Sequence, residues 1–225
     1  MIRQETLDFI KDVAENNDRE WFAANKARYE AAREDIYTLI DQLIPELAAV
    51  DSAFPIDTPA KKCLMRIYRD VRFSKNKDPY KSNYGVSFDV KGRGVTTPDY
   101  YLHIQPGKSF LGVGFWMPEP AVLKKIREEI DYNTSEFTDI INAKDFKKLF
   151  KLSEEDKLKK APKGYEADHP QIELLKLKSF IAVYQLDDKE LVNKEIVDKL
   201  RTAFKVINPF VLFLRNAVGH NDENL

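Results

Sequence analysis

The spacing of apolar residues changes twice along this chain, and this change limits the folds available to it. In the first fifty residues apolar side chains recur every three or four positions, as at Ile36, Leu39 and Leu43, which predicts amphipathic helices. Between about residues 64 and 116 the period falls to two, in short aromatic and β-branched runs separated by turn residues such as Pro106-Gly107. Helical spacing returns after Pro118, so the order of elements predicts an α+β fold.

Five segments have the composition and length of strands, and the short turns between most of them favour an antiparallel meander. These segments are 64–69, 84–90, 100–105, 110–116 and 179–186. We therefore predict a single α+β domain at residues 1–218, in which a mainly antiparallel sheet of about five strands packs against N- and C-terminal helices. A chain of 225 residues is long enough to bury its own core. The polar residues 219–225 are expected to form a flexible tail.

Local signals predict where two of the helices begin and end. Asn17 and Glu20 have the spacing of a capping box, so a long helix should follow Asn17. Pro45 should kink or end that helix, because proline lacks the backbone N–H and its ring clashes with the preceding turn. For the same reason Asn208-Pro209 should interrupt the last helix.

Glycine-rich segments in the middle of the chain do not match known nucleotide-binding motifs. Gly107-Lys108-Ser109 resembles the end of a phosphate loop, but the first glycine of that motif is missing and a strand follows it. Gly112 and Gly114 lie on one face of a predicted strand, which indicates the close approach of a ligand or, more commonly, of a helix. No nucleotide cofactor is expected.

The composition excludes several other classes of protein. Cys63 is the only cysteine, and the three histidines provide too few ligands for a histidine-rich metal site, so we expect no disulfide and no metal. No apolar run approaches the roughly 18 residues that span a bilayer, and the N-terminus has no signal-peptide pattern. We therefore expect a cytoplasmic protein without a membrane partner.

Positive charge is concentrated in one segment of an almost neutral chain. Residues 61–81 contain eight lysines and arginines and two aspartates, a local charge of +6, whereas the rest of the chain carries −7. Such a segment either binds an anion or pairs with acidic groups elsewhere in the fold. Arg69 alternates with the apolar Met65 and Ile67 in a predicted strand, so its charge requires a carboxylate or a bound anion.

These cations predict a site for a small phosphorylated or carboxylated ligand. Guanidinium groups, lysine ammonium groups and loop amides together provide the donors that such anions need. The predicted ligand-binding residues are Arg69, Arg72, Lys75, Lys77 and Lys81. An alternative interpretation is an ordinary solvated loop with structural Arg–Asp pairs. Nucleic-acid binding is a third, because aromatic residues alternate with the cations, but the net charge of −1 argues against it.

Three residues are candidate catalytic residues for a reaction at this site, with His103 or His169 as the proton carrier. His103 lies in a predicted strand with Tyr101 and Gln105 on its face, and it could act as a general acid or base. Asp168 and His169 could form an orienting pair. The structural alternatives are a cross-strand hydrogen bond by His103 and capping of the helix after Pro170 by Asp168 or His169.

Four stretches of the sequence resemble one protein family. They are NNDREWFAANKARYE (16–30), RIYRDVRFSKNKDPYKSNYG (66–85), YYLHIQPGKSFLGVGFWMPEP (100–120) and APKGYEADHP (161–170). Together they look like the bacterial and fungal family called domain of unknown function 2461, and the resemblance extends from about residue 4 to residue 217. It implies a single domain but no reaction and no catalytic residues.

Two functions are therefore predicted by the sequence. In the first, the protein binds a small anion through the basic strand and loop at 66–81, with hydrolase or transferase chemistry in which Arg and Lys stabilise developing negative charge. In the second, it is a non-catalytic interaction domain whose basic face binds an acidic protein or a nucleic acid. The sequence leaves open whether the chain is an enzyme, and it gives no oligomeric state.

Overall fold

Helices occupy the first part of the chain, as the apolar spacing predicts. The computed structural model describes residues 1–88 and 97–219, and all structural statements concern these residues. The helices are α1 (Gln4–Glu15), α2 (Arg19–Ala24), α3 (Lys26–Ala48) and the short α4 (Ala60–Cys63). Asp18 is the N-cap of α2, since its carboxylate accepts a hydrogen bond of 2.8 Å from the Trp21 amide. The predicted capping by Asn17 is therefore wrong.

A five-stranded antiparallel sheet confirms the predicted α+β fold class. The strands are β1 (Tyr84–Phe88), β2 (Asp99–Ile104), β3 (Ser109–Phe115), β4 (Lys151–Leu152) and β5 (Phe180–Leu186). Their order in the sheet is β1-β2-β3-β5-β4. The last two residues of the predicted strand 84–90 lie outside the described residues, and so do residues 220–225 of the predicted tail.

The fifth strand of this sheet is not the one that the sequence predicts. Residues 64–69 form only isolated bridges, Leu64 with Val86 and Tyr68 with Tyr80, so the predicted strand there is wrong. The physical reason is that the start of this segment pairs with β1 and its end pairs with the residues around Tyr80, so no continuous ladder of hydrogen bonds forms with either. The remaining strand is β4, which pairs with β5 through Lys151 opposite Val183. Two residues are too few to show an alternating pattern in the sequence.

The later helices are α5 (Pro120–Tyr132), α6 (Thr134–Asn142), α7 (Lys144–Leu149), α8 (Ile172–Leu175), α9 (Asp188–Leu191) and α10 (Ile196–Ala217). Pro45 lies inside α3, which ends three residues later at Ala48. Pro209 lies within α10, and the predicted interruption there is wrong. Buried residues on both sides of it, including Ile207 and Phe210, hold the helix in place, because tertiary packing supplies most helix stability in proteins.

The described residues divide into two compact units. Unit 1 contains Met1–Phe88, Tyr101–Leu111 and Gln185–Thr202, and its core contains side chains from α1, α3 and β1. Phe54 packs edge-to-face on Phe88, the last residue of β1. Unit 2 contains residues 97–100, Gly112–Tyr184 and 203–219. In unit 2, Tyr100 of β2 packs edge-to-face on Phe204 of α10 with the ring centroids 5.9 Å apart.

The sequence predicts that another group approaches the backbone of β3 closely at Gly112 and Gly114, and the structure shows such an approach at Gly114. A Cβ atom at Gly114 would lie 2.0 Å from the carbonyl oxygen of Phe180, and the φ angle of +133° disfavours any other residue. The neighbour is therefore the backbone of β5, and the expectation of a ligand or helix at this position is wrong. The spacing of β3 and β5 depends on this glycine.

Candidate functional site

The basic segment forms a hairpin in unit 1, which we call the basic hairpin (residues 66–81). Its arms pair through hydrogen bonds from the Arg69 amide to the Pro79 carbonyl (2.9 Å) and from the Lys81 amide to the Ile67 carbonyl (2.8 Å). The ring of Tyr80 stacks on Phe22 of α2 at a centroid distance of 4.0 Å. The base of the hairpin is therefore anchored on the N-terminal helices.

Three of the predicted ligand-binding cations already have partners within the hairpin. Arg72 forms two hydrogen bonds to the Asp70 carboxylate, of 3.0 and 2.7 Å. These bonds raise the pKa of Arg72 and lower the pKa of Asp70, although both side chains are exposed. Arg69 donates to the Asp78 carbonyl at 3.0 Å, and Lys77 donates to the Val71 carbonyl at 3.0 Å.

The anionic partner that Arg69 requires is supplied by the chain itself. Its Nη1 lies 3.9 Å from Oδ2 of Asp78, and its side chain is 26% exposed. Arg69 and Arg72 are therefore each paired with an aspartate of the hairpin itself. Lys75 is exposed near the tip of the hairpin.

Lys81 has a different environment from the other cations of the hairpin. It is half-buried, and burial lowers the pKa of its ammonium group, with the nearby positive charge of Arg66 as the second cause. Neither Lys81 nor Arg66 has an ion-pair partner in the described part of the chain. The base of the hairpin therefore holds two adjacent cations. Arg66 is near enough to the Asp70 carboxylate to lower the pKa of that group, whereas Lys81 has no carboxylate beside it among the described residues.

The residues that follow Lys81 belong to a cluster of polar side chains around His103. The Nδ1 atom of His103 lies 3.1 Å from the Tyr101 hydroxyl and 3.3 Å from Nδ2 of Asn83. Its Nε2 atom lies 3.0 Å from Oε1 of Gln105. The side-chain Nε2 atom of Gln105 in turn donates to the Ser82 hydroxyl at 3.5 Å. Ser82 and Asn83 therefore connect the end of the basic hairpin to β2.

These contacts define the protonation state of His103. Oε1 of Gln105 only accepts hydrogen bonds, so the proton lies on Nε2, and Nδ1 accepts from Asn83 or Tyr101. Burial lowers the pKa of His103, and the hydrogen bond to Gln105 opposes this effect more weakly. His103 is therefore a neutral imidazole at pH 7, with Nδ1 as its basic atom.

Aromatic and glycine residues form the surroundings of this cluster. The Phe110 ring stacks on the imidazole of His103, with centroids 4.8 Å apart and planes inclined by 12°. Gly85 provides space for Tyr101, because a Cβ atom there would lie 2.8 Å from the Tyr101 hydroxyl. Stacking on Phe110 and hydrogen bonds at both nitrogen atoms thus fix the orientation of the imidazole ring.

Asp168 and His169 belong to unit 2, whereas the His103 cluster belongs to unit 1. Nε2 of His169 lies 2.8 Å from the Asp131 carboxylate, and Nδ1 accepts a hydrogen bond of 3.1 Å from the Gln171 amide. Gln171 is the N-cap of α8, so His169 supports the start of that helix. Asp168 is exposed. Both nitrogens of His169 have structural partners, and a catalytic role for either residue stays a prediction.

Within unit 1, His103 contacts Asn83, two residues after Lys81, while Arg69, Arg72 and Lys77 have partners in the hairpin. Sequence reasoning missed the role of Arg66, Ser82 and Asn83 in this cluster. The alternation of Tyr101, His103 and Gln105 did indicate a shared face, but nothing local to Asn83 shows which strand it contacts.

Neither a metal site nor a membrane span emerges from the described residues. They contain no group of three or more His, Cys, Asp or Glu side chains arranged to hold a metal ion. None of the helices among them combines the length and apolar composition needed to cross a bilayer.

Comparison with known families places this chain in a family of conserved hypothetical proteins. The family model described as "Conserved hypothetical protein (DUF2461)" matches residues 5–213, nearly the whole chain. Comparison with curated proteins gives no match.

Proposed function

We propose that this chain, which belongs to the DUF2461 family of conserved hypothetical proteins, binds a small phosphorylated or carboxylated ligand at the base of its basic hairpin. The ligand-binding groups are Arg66 and Lys81, with Asn83 and His103 beside them. The predicted residues Arg69, Arg72, Lys75 and Lys77 contribute to the field that attracts the anion. We also propose a cytoplasmic location, with which a single buried thiol at Cys63 is compatible.

The observation that carries this proposal is the half-buried ammonium group of Lys81, which lies next to the guanidinium group of Arg66 and has no ion-pair partner among the described residues. A half-buried ammonium group next to a second cation is unfavourable, because desolvation and like-charge repulsion both disfavour the charged form. An anion bound between the two groups removes both penalties. Arg72 gains less from the same anion, since the Asp70 carboxylate already occupies its guanidinium fork.

The His103 cluster supplies neutral hydrogen-bonding groups next to this charge. Asn83 carries two amide donors, and Ser82 and Tyr101 carry hydroxyl groups that donate or accept. His103 Nδ1 is the basic atom of the cluster, so a hydrolase or transferase reaction here would use it as proton acceptor with the Tyr101 hydroxyl as its neighbour. Binding of the anion does not depend on such a reaction.

A thermal-shift screen tests the binding function. Phosphate, sulfate, sugar phosphates and nucleotides are added singly, and a ligand at 100 times its dissociation constant should stabilise the protein by about 2.7 kcal/mol. Lys81→Met and Arg66→Met should abolish the shift. Arg72→Met and Lys75→Met are the matched controls, because each removes one positive charge from the same hairpin away from its base. The proposal fails if no ligand raises the melting temperature, or if all four variants lose the shift equally.

A second candidate function is the binding of single-stranded nucleic acid, which one observation favours. Phe73, near the tip of the hairpin, is 96% exposed, and Tyr68 is 52% exposed. Exposed aromatic rings between cations provide stacking surfaces and phosphate contacts. Fluorescence anisotropy with a labelled oligonucleotide tests this function: affinity should fall steeply with salt concentration and should be lost in Phe73→Ala. A small anion at Lys81 would bind equally well to Phe73→Ala.

A further inference from the structure

Unit 2 contains a cavity that has no part in the function proposed above. It lies between α6, α7 and α10 and has a volume of about 540 Å³, within the range of small-molecule sites. Its lining residues are Asp139, Ile140, Ala143, Asp145, Phe146, Lys205, Val206 and Pro209. Most of this surface is apolar, and the charged groups are two carboxylates and one ammonium.

The charged residues of this cavity have no ion-pair partners among the described residues. Asp139, Asp145 and Lys205 are all exposed, and the net charge of the lining is −1. Two carboxylates at the margin of an apolar surface favour a cation and disfavour an anion. This charge preference is opposite to that of the basic hairpin in unit 1.

One residue that lines this cavity also has a backbone carbonyl group without its usual helical donor. Pro209 has no N–H, so the carbonyl oxygen of Lys205, four residues earlier, lacks its usual helical donor. Both residues line the cavity. A primary ammonium group carries three donors and no acceptor, which matches two carboxylates and one carbonyl oxygen.

The geometry points to a binding site for a primary amine with an apolar body. The ammonium group is bound by Asp139, Asp145 and the Lys205 carbonyl, and the apolar body packs on Ile140, Phe146 and Val206. Phe146 is 3% exposed, so it forms the floor of the cavity rather than its rim. The Lys205 side chain competes with the ligand, because its own ammonium group is attracted to the same carboxylates.

Titration of the full chain with phenethylamine, followed by amide chemical shifts, tests this site. The neutral probe 2-phenylethanol has nearly the same shape and lacks the charge. We expect phenethylamine to shift the amides of Ala143, Lys205 and Val206 and to bind more tightly than the alcohol. Equal affinity of the two probes, or shifts confined to other residues, would overturn the proposal.

Charge variants at exposed positions test the roles of the individual groups. Asp139→Asn and Asp145→Asn should each weaken phenethylamine binding by about two- to fivefold, as expected for exposed ion pairs. Lys205→Met should strengthen it by a similar factor. Asp41→Asn, an exposed carboxylate on α3 of unit 1, is the control and should leave the affinity unchanged. If the Asp139 and Asp145 variants bind like the control, the assignment is wrong.

Discussion

The side-chain amide of Asn17 forms two hydrogen bonds with the backbone of Tyr80. Nδ2 donates to the Tyr80 carbonyl at 3.1 Å, and Oδ1 accepts from the Tyr80 amide at 3.0 Å. The two residues are 63 positions apart, so the pair connects the turn before α2 to the base of the basic hairpin. Together with the stacking of Tyr80 on Phe22, it holds the base of the hairpin, where Arg66 and Lys81 lie, on the N-terminal helices.

Asn17→Ala should destabilise the protein by about 1–3 kcal/mol, because it leaves two partly buried backbone groups without partners. Urea denaturation measures this loss, and hydrogen exchange at the Tyr80 amide should become faster. Asn142→Ala is the control: Asn142 is exposed at the end of α6, and its replacement should change the free energy of unfolding by less than about 0.5 kcal/mol. Equal effects of the two substitutions would contradict the role of Asn17.

Gly114→Ala should destabilise the protein by more than about 4 kcal/mol, because its Cβ would lie 2.0 Å from the Phe180 carbonyl oxygen. Gly107→Ala is the matched control. Gly107 also has a positive φ angle, +71°, but a Cβ atom there meets nothing within 4 Å, so the cost should be about 1–2 kcal/mol of backbone strain. Thermal unfolding of the two variants measures the difference, and similar melting temperatures would exclude steric contact as the cause.

His103 should make the protein less stable at acidic pH. Its pKa in the folded protein lies below the usual 6.5 because of burial, so the unfolded chain binds the proton more readily. Protonation of His103 therefore has no effect on the free energy of unfolding above pH 6.5. Its effect lowers the free energy of unfolding as the pH drops below 6.5 and becomes constant below the lowered pKa. Urea denaturation at several pH values gives the free energy of unfolding of the wild type and of His103→Gln. The difference between the two curves isolates the contribution of His103.

An NMR titration of the His103 ring provides a direct check on the same prediction. The imidazole should titrate below pH 6.5, and a histidine in a short unstructured peptide serves as the reference. A titration midpoint at or above the reference value would contradict the lowered pKa of His103.

Tyr84→Phe should leave the stability unchanged or raise it by up to about 1 kcal/mol. The Tyr84 hydroxyl is buried and has no hydrogen-bond partner among the described residues, so removing it eliminates an unsatisfied polar group. Burial also raises the pKa of this hydroxyl, which stays protonated. Tyr84→Ala should cost about 3–5 kcal/mol through the cavity it creates. A clear loss of stability in Tyr84→Phe, measured in urea, would reveal a partner for the hydroxyl.

Much of the secondary structure was predictable because it depends on local periodicity. The strands predicted at 100–105, 110–116 and 179–186 are found at Asp99–Ile104, Ser109–Phe115 and Phe180–Leu186. In each of these strands, apolar residues on one face of the sheet alternate with residues on the opposite face. Burial of the apolar face favours the pairing of the strand with its neighbours. The two-residue strand β4 was not predictable, because its pairing depends on the neighbouring strand β5 alone.

The sequence by itself determined the α+β fold class and the concentration of positive charge at residues 61–81, since both follow from the order and type of nearby residues. Only the tertiary structure decided that Asp70 neutralises Arg72 while Lys81 remains next to Arg66. It also decided that Asn17 binds Tyr80 instead of capping α2. The physical reason is that hydrogen bonds and ion pairs act over a few ångströms in space, and folding sets those distances independently of separation along the chain.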